Sequence, residues 1–169
     1  MSYPIPTLKT ERLTLRPQTI ADFSGYLDFM ASPRSIGVGG PYDLRAAWGM
    51  FCHDQANWHF FGHGALMIER TATQECLGQV GINHGPLFPE KELGWLFYRG
   101  FEGQGYAAEA AQALRQWAFQ SLKLLTLVSY VAPENLKSAA VAERLGGKLD
   151  ATALRSDPED LVYRYRADI

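Results

Sequence analysis

A mixed α+β domain, with a mostly antiparallel central sheet of about seven strands flanked by about four helices, is what this sequence predicts. Three features carry the prediction. Strand-like runs at 65–70, 77–84 and 92–98 follow one another across short polar or Gly/Pro-rich turns, which is an antiparallel meander and not a βαβ alternation. Helical periodicity is confined to four stretches, two before the meander and two after it. The length of 169 residues, with 47% hydrophobic and 20% charged, suits one domain over 1–169 with a sizeable core.

The elements follow in order. Arg12 to Arg16 alternates charged or polar residues with Leu13 and Leu15 and ends at Pro17, which a strand interior does not tolerate, so it is the first strand. Thr19 caps a helix from Ile20 to Met30 whose apolar face is Phe23, Tyr26, Leu27 and Met30. The glycine-rich Ser35 to Gly40 reads as a loop. Pro41 to about Phe61 is a second helical region, and its aromatics Tyr42, Trp48, Phe51, Trp58, Phe60 and Phe61 either line a pocket for a planar substrate or pack on the sheet.

Ala65 to Arg70 and Leu77 to His84 form a hairpin around Thr71–Glu75, and Glu92 to Tyr98 follows the turn Gly85–Pro89 as the fourth strand. A helix opens at Gly105 and runs to about Ser121, with Tyr106, Ala110, Ala113, Leu114 and Trp117 on the sheet side. The apolar, β-branched run Leu124 to Val131 is a buried fifth strand. Asn135 caps a last helix with Ala139, Ala142 and Leu145 at helical spacing, stopped by Gly146 and Gly147. Lys148 to Ala153 and Leu161 to Ala167 complete the sheet around the turn Ser156–Asp160.

With 16 basic against 18 acidic residues, the net charge of -2 lacks the electrostatic footprint of a nucleic-acid or membrane-surface protein. Two cysteines without framework spacing, no leader pattern and no apolar run near membrane length predict a soluble, cytoplasmic protein. Cys52, His53, His59 and His63 lie close in sequence but show neither Cys-x-x-Cys nor His-Glu-x-x-His spacing, so no metal is expected.

The stretch where chemistry dictates residue choice is Gly103-Gln104-Gly105-Tyr106-Ala107-Ala108-Glu109-Ala110. Glycines followed by small residues at a helix start let the backbone turn closely and leave the first amides unpaired, and such amides with the helix dipole bind anions. A pyrophosphate fits this cradle; an ordinary loop before a helix is the plainer alternative. Gly103-x-Gly105-x-x-Ala108 also matches a dinucleotide fingerprint, but a meander in front of it is the wrong context for a Rossmann unit.

Taken together, Glu92-Leu93-Gly94-Trp95-Leu96-Phe97, the glycine octapeptide, Asn135-x-x-Ser138 and Glu143-Arg144-Leu145-Gly146 closely resemble the GNAT superfamily of acetyl-CoA-dependent N-acetyltransferases. The opening Thr10-Glu11-Arg12-Leu13-Thr14-Leu15-Arg16-Pro17 resembles its ribosomal-protein N-terminal acetyltransferase branch. Two departures stand out: Glu102 occupies a position where the family commonly has Gln or Arg, and Gly147 one where it usually has an aromatic residue.

The resemblance implies fourth and fifth strands that part like a V. Pantetheine would lie in the opening on backbone groups of Leu96, Phe97 and Tyr98, with the pyrophosphate on Gly103, Gln104, Gly105, Tyr106, Ala107 and Ala108. Acetyl-CoA is then the acyl donor, and a primary amine, either a small molecule or a peptide N-terminus, attacks it directly. Glu92 is the implied general base, unless it is only a solvated strand carboxylate; His84, with Asp157, Glu159 or Asp160 in the last turn, is the fallback, and a water chain is a further alternative.

Ser138 is the implied proton donor to the leaving thiolate, unless it merely bonds the helix cap; Asn135 would hold pantetheine or the acceptor while capping. The tyrosine that many relatives carry seven residues after that Asn is Ala142 here. That absence keeps open a non-catalytic acyl-CoA-binding module, and the glycine pattern a nicotinamide-dependent oxidoreductase. The sequence leaves monomer and homodimer equally open.

Overall fold

The computed structural model describes residues 4–168. Eight strands make one sheet: β1 (Leu8–Lys9), β2 (Leu13–Arg16), β3 (Ala65–Arg70), β4 (Cys76–Gly85), β5 (Phe88–Phe97), β6 (Thr126–Val131), β7 (Lys148–Leu149) and β8 (Leu161–Arg166). Their spatial order is β1-β2-β3-β4-β5-β6-β8-β7, antiparallel throughout except between β5 and β6, which run parallel. Four helices, α1 (Phe23–Met30), α2 (Leu44–Phe61), α3 (Tyr106–Gln120) and α4 (Leu136–Arg144), cover the sheet, so the predicted architecture holds.

The two faces of the sheet are separated by strand alternation. Leu93 and Phe97 of β5 join Leu77, Val80 and Ile82 of β4 under Tyr106, Ala110 and Leu114 of α3. Leu96, between them in sequence, points the other way into Tyr26, Phe29 and Met30 of α1 and Ala47 and Phe51 of α2. Burying a residue such as Leu114 fully contributes roughly 1.5–3 kcal/mol.

Several boundaries differ from the sequence reading, each for a local reason. Leu8–Lys9 adds an eighth strand by pairing with Thr14 and Leu15. The first helix starts at Phe23, because the Asp22 carboxylate takes the Thr19 amide at 2.8 Å and holds Ile20–Asp22 as a 3-10 turn. The loop expected at Ser35 to Gly40 is a 3-10 helix over Pro33–Val38, capped by Ser32 and stopped at Gly39 with φ +94°.

The hairpin between β4 and β5 is tighter than the predicted Gly85–Pro89 turn, since Gly85 at φ +105° reverses the chain and β5 already begins at Phe88. β7 stops at Leu149, because the next residue, Asp150, turns its carboxylate to Thr152 and Arg164. At the corner where relatives carry an aromatic residue, a Cβ on Gly147 would lie 2.9 Å from the Tyr165 ring and 3.1 Å from Tyr163 Cβ. The aromatic filling comes from β8 instead.

Candidate active site

β5 and β6 share a single registered pair, Glu92 with Val128. Beyond it the ladder is replaced by one side chain: Ser129, 3% exposed, donates its hydroxyl to the Leu93 carbonyl at 2.5 Å and accepts from the Tyr165 hydroxyl at 2.9 Å. Trp95 and Phe97 of β5 and Tyr130 and Val131 of β6 have no mutual pairing, so the strands diverge toward their C-terminal ends as the V requires.

A cleft of about 460 Å³ lies beside this opening. Its floor is the face of β4 and β5 formed by Gln79, Gly81, Asn83, Glu92, Gly94 and Leu96, and one wall is the 3-10 segment around Gly37. Ser129 to Ala132, Asn135 and Ser138 close the other side. Thus Glu92, Leu96, Asn135 and Ser138 come together, although 46 residues separate Glu92 from Ser138 in the chain.

Glu92 is half-buried on the cleft floor, and that burial pushes its carboxyl up to about 7. The Asn83 amide donates to Oε1 at 3.2 Å and opposes the rise; the charge of Asp160 adds to it. Gly81 and Gly94 are register partners on the floor, and a Cβ on Gly94 would approach Glu92 Oε1 to 2.8 Å. The glycine therefore keeps the carboxylate's place clear.

Asn135 caps α4 by accepting from the Ser138 backbone amide at 3.2 Å. The cap thus uses the backbone of Ser138, and its hydroxyl has no hydrogen-bond partner among the described residues. Position 142 is a fully buried alanine packed in the core.

The glycine turn sits at the end of β5, outside the cleft lining, and leads into α3. Gly103 and Gly105 have φ +75° and +79°, and no side chain caps α3. The first intrahelical bond runs from the Glu109 amide to the Gly105 carbonyl, which leaves the amides of Gly105, Tyr106, Ala107 and Ala108 free to bind an anion. Arg12 clamps this turn: it donates to the Gln104 carbonyl at 3.0 Å and to Glu109 at 2.7 Å, and stacks over Tyr106. Burial works against it, but bonds from Thr10 and Arg12 hold the Glu109 carboxyl below its ordinary value. Glu102, the departure noted above, is neutralised by an ion pair with Arg34.

Two expectations need correction. The Tyr98 amide donates to Leu77 in β4, and the Leu96 carbonyl packs against Gly78 of β4, so neither faces the opening. The Phe97 carbonyl does, and there it accepts from Arg34 at 3.2 Å. Since the Leu93 and Phe97 carbonyls both turn toward β6, strand alternation turns the backbone of Trp95 the same way. Next, His84 lies among Phe61 and His63 on the face opposite Asn83 and does not line the cleft.

The aromatics of α2 do not line it either: Phe51 and Trp58 are buried, Phe60 is exposed, and Met50 and Asp54 face the cleft in their place. Cys52, His53, His59 and His63 do not converge; His53 stacks on Phe88, His59 against Phe60, and His63 bonds the Ile82 carbonyl.

Asp54 is the residue sequence reasoning missed. It is 4% exposed, and its Oδ2 accepts from Gln79 Nε2 at 3.0 Å and from the Tyr26 hydroxyl at 3.3 Å. Burial pushes its carboxyl up to about 7 against those two bonds. The only signal in the sequence was an acid on a helix otherwise facing apolar neighbours.

Comparison with known proteins now supplies the family. The acetyltransferase (GNAT) domain model matches residues 12–148. The crystal structure of an acetyltransferase from Agrobacterium tumefaciens str. C58 is 74% identical with a TM-score of 0.95, covering 99% of this chain and 98% of that one. The uncharacterized N-acetyltransferase YnaD of Bacillus subtilis is 36% identical over 55 residues, a match spanning 32% of either chain. The ribosomal L7/L12 alpha-N-protein acetyltransferase RimL in complex with coenzyme A shares the fold at 17% identity and a TM-score of 0.76, over 95% of this chain and 98% of that one. With a diverging parallel strand pair, an uncapped glycine-led helix and a domain model spanning most of its length, this chain belongs to the acetyltransferase (GNAT) family of acetyl-CoA-dependent acyltransferases.

Proposed function

We propose that the chain transfers the acetyl group of acetyl-CoA to a primary amine by direct attack within a ternary complex. The observation that carries this reading is the convergence of Glu92, Asn135 and Ser138 on one cleft beside the gap between β5 and β6.

The residues present fit the donor. The free amides from Gly105 to Ala108 hold its pyrophosphate, with Gly103 and Gln104 shaping the approach: a Cβ at Gly103 would meet no atom within 4 Å, so that side of the turn is open. Backbone groups of Trp95 and Phe97 line the path of the pantetheine arm. When bound, the thioester supplies the activated acyl group.

Glu92 then accepts the proton that the acceptor ammonium must shed, a task suited to a carboxyl whose pKa burial has brought near the working pH. Ser138, with its hydroxyl unspent on the cap, donates toward the leaving sulfur, and the Trp95 amide stabilises negative charge on the acyl oxygen. Asn135 orients the reactants through its amide nitrogen. The free thiols Cys52 and Cys76 suit a reducing cytoplasm, and no described helix is long and apolar enough to cross a membrane.

The test is thiol release from acetyl-CoA across a panel of amines, with wild type and Glu92→Gln in parallel. Turnover that is amine-dependent and drops by about 10²–10⁴ in the variant supports the reading. Tight acetyl-CoA binding without thiol release from any amine points instead to the non-catalytic acyl-CoA module, which the buried Ala142 keeps in play.

A further inference from the structure

The side chains around the cleft are of one sign. Asp54, Glu92, Glu134, Asp157 and Asp160 line it, and among the described residues no Lys, Arg or His does. In a chain with 16 basic and 18 acidic residues, this is a local segregation of charge and not a reflection of composition. The cleft attracts cations and repels carboxylates.

Within that set Asp54 stands apart. The other four lie at the rim or on β5, whereas Asp54 reaches the cleft from α2 and is 4% exposed. Both of its hydrogen bonds fall on Oδ2, and Oδ1 has no partner among the described residues. A buried carboxylate with an unpaired oxygen in a ligand cleft is costly unless a cation meets it. Enclosure pushes its carboxyl up to about 7, and an ammonium group beside Oδ1 would favour the ionised form.

One strand anchors both carboxylates. Gln79 and Asn83 of β4 point to the same face; the first holds Asp54 and the second holds Glu92. Four steps along the extended strand separate those anchors by roughly 14 Å at about 3.4 Å each. Between them the floor is the Gly81–Gly94 pair, which carries no side chain of its own, and the Glu92 carboxylate reaches over Gly94.

We infer that the acceptor is a small di- or polyamine whose reacting amine faces Glu92 while a second ammonium group is held by Asp54. This rests on the amine-acetylation reading above and names its substrate class. A peptide N-terminus brings only the cation that reacts, and an amino acid brings a carboxylate that this lining repels.

The experiment compares acceptors that share one five-carbon chain and differ only at the far end: cadaverine, n-pentylamine and δ-aminovalerate, with an alanine-led neutral peptide as a fourth arm. Thiol release is read at saturating acetyl-CoA. The expected kcat/KM falls from cadaverine to pentylamine by about tenfold or more, as for loss of a charged hydrogen bond, and falls again for δ-aminovalerate. In Asp54→Asn the preference for cadaverine over pentylamine should shrink by about tenfold, carried by KM and not by kcat.

Equal kcat/KM for cadaverine and pentylamine in the wild type overturns the inference, as does a variant that penalises both acceptors alike. If Asp54→Asn fails to fold, judged by its melting and coenzyme A affinity, the wild-type series decides by itself. A peptide that outcompetes every small amine also overturns it while leaving amine acetylation standing. Silence from all four acceptors and from spermidine defeats both readings.

Discussion

Asn83 and Glu92 face each other in register across β4 and β5, and the Asn83 amide donates to Glu92 Oε1 at 3.2 Å. That bond is the main influence holding the enclosed carboxyl down, and burial pushes it up to about 7. A base must be ionised to act, so with a monoamine acceptor, which makes no demand on Asp54, kcat/KM should fall tenfold per pH unit below about 7 and level off above it. Glu92→Gln should remove this acid limb together with most of the rate. Asn83→Ala should move the limb to higher pH; an unmoved limb in that variant would show that Glu92 is not the titrating group.

Asn135 serves the cap of α4 through its oxygen, and by proposal the reactants through its nitrogen. The two roles separate by substitution. Asn135→Ala should cost about 1 kcal/mol of stability, lowering the melting temperature by about 2–4 °C in a domain of this size. Asn135→Asp keeps the acceptor and the cap, so its melting should match wild type while turnover drops. Full activity in the Asp variant would leave Asn135 a structural residue only.

Arg12 ties the N-terminal hairpin to the turn entering α3 through Gln104, Glu109 and the Tyr106 ring. Replacing it with Met keeps the length and removes every one of those polar contacts. The dissociation constant for coenzyme A, measured by calorimetry, should rise about tenfold, as for loss of charged hydrogen bonds around a binding loop. An unchanged constant would mean the turn holds its shape without the clamp.

His63 is 1% exposed, donates from Nδ1 to the Ile82 carbonyl at 2.8 Å, and has no partner at Nε2 among the described residues. Burial lowers its pKa to about 4, helped by the charges of Lys91 and His84. Between the unfolded value of about 6.5 and about 4 the unfolded chain binds the extra proton, so stability is lost as pH falls through that window. The loss is on the order of 3 kcal/mol. Thermal melts from pH 7 to pH 4 should be steeper in pH for wild type than for His63→Gln, and parallel curves would exclude this origin of acid sensitivity.

Much of this fold could be read in the chain because strand alternation and helix periodicity are local. The meander, the glycine entry to α3 and the Asn135 cap were all visible that way, and Glu92 and Ser138 came with the family likeness. What escaped depends on partners distant in sequence. Asp54 looked like any polar helix residue, because its burial is set by Tyr26 on α1 and Gln79 on β4. Arg12 looked like a strand charge, because Glu109, 97 residues away, decides where it points. Which backbone groups of β5 face the gap turned on the parity of its pairing with β4, and one residue of register separates Leu96 from Trp95.

The charge segregation described above has a kinetic corollary. Arg12 and the bare amides of α3 lie on the helix side of the sheet that carries Tyr106 and Leu114, while Asp54 and Glu92 lie on the face toward α1 and α2. On the proposed reading, an anionic donor and a cationic acceptor would be drawn to opposite sides of the sheet and would meet through the gap beyond Ser129. Neither traveller obstructs the other's door, so arrival in either order should give intersecting reciprocal plots, and added salt should slow both arrivals together.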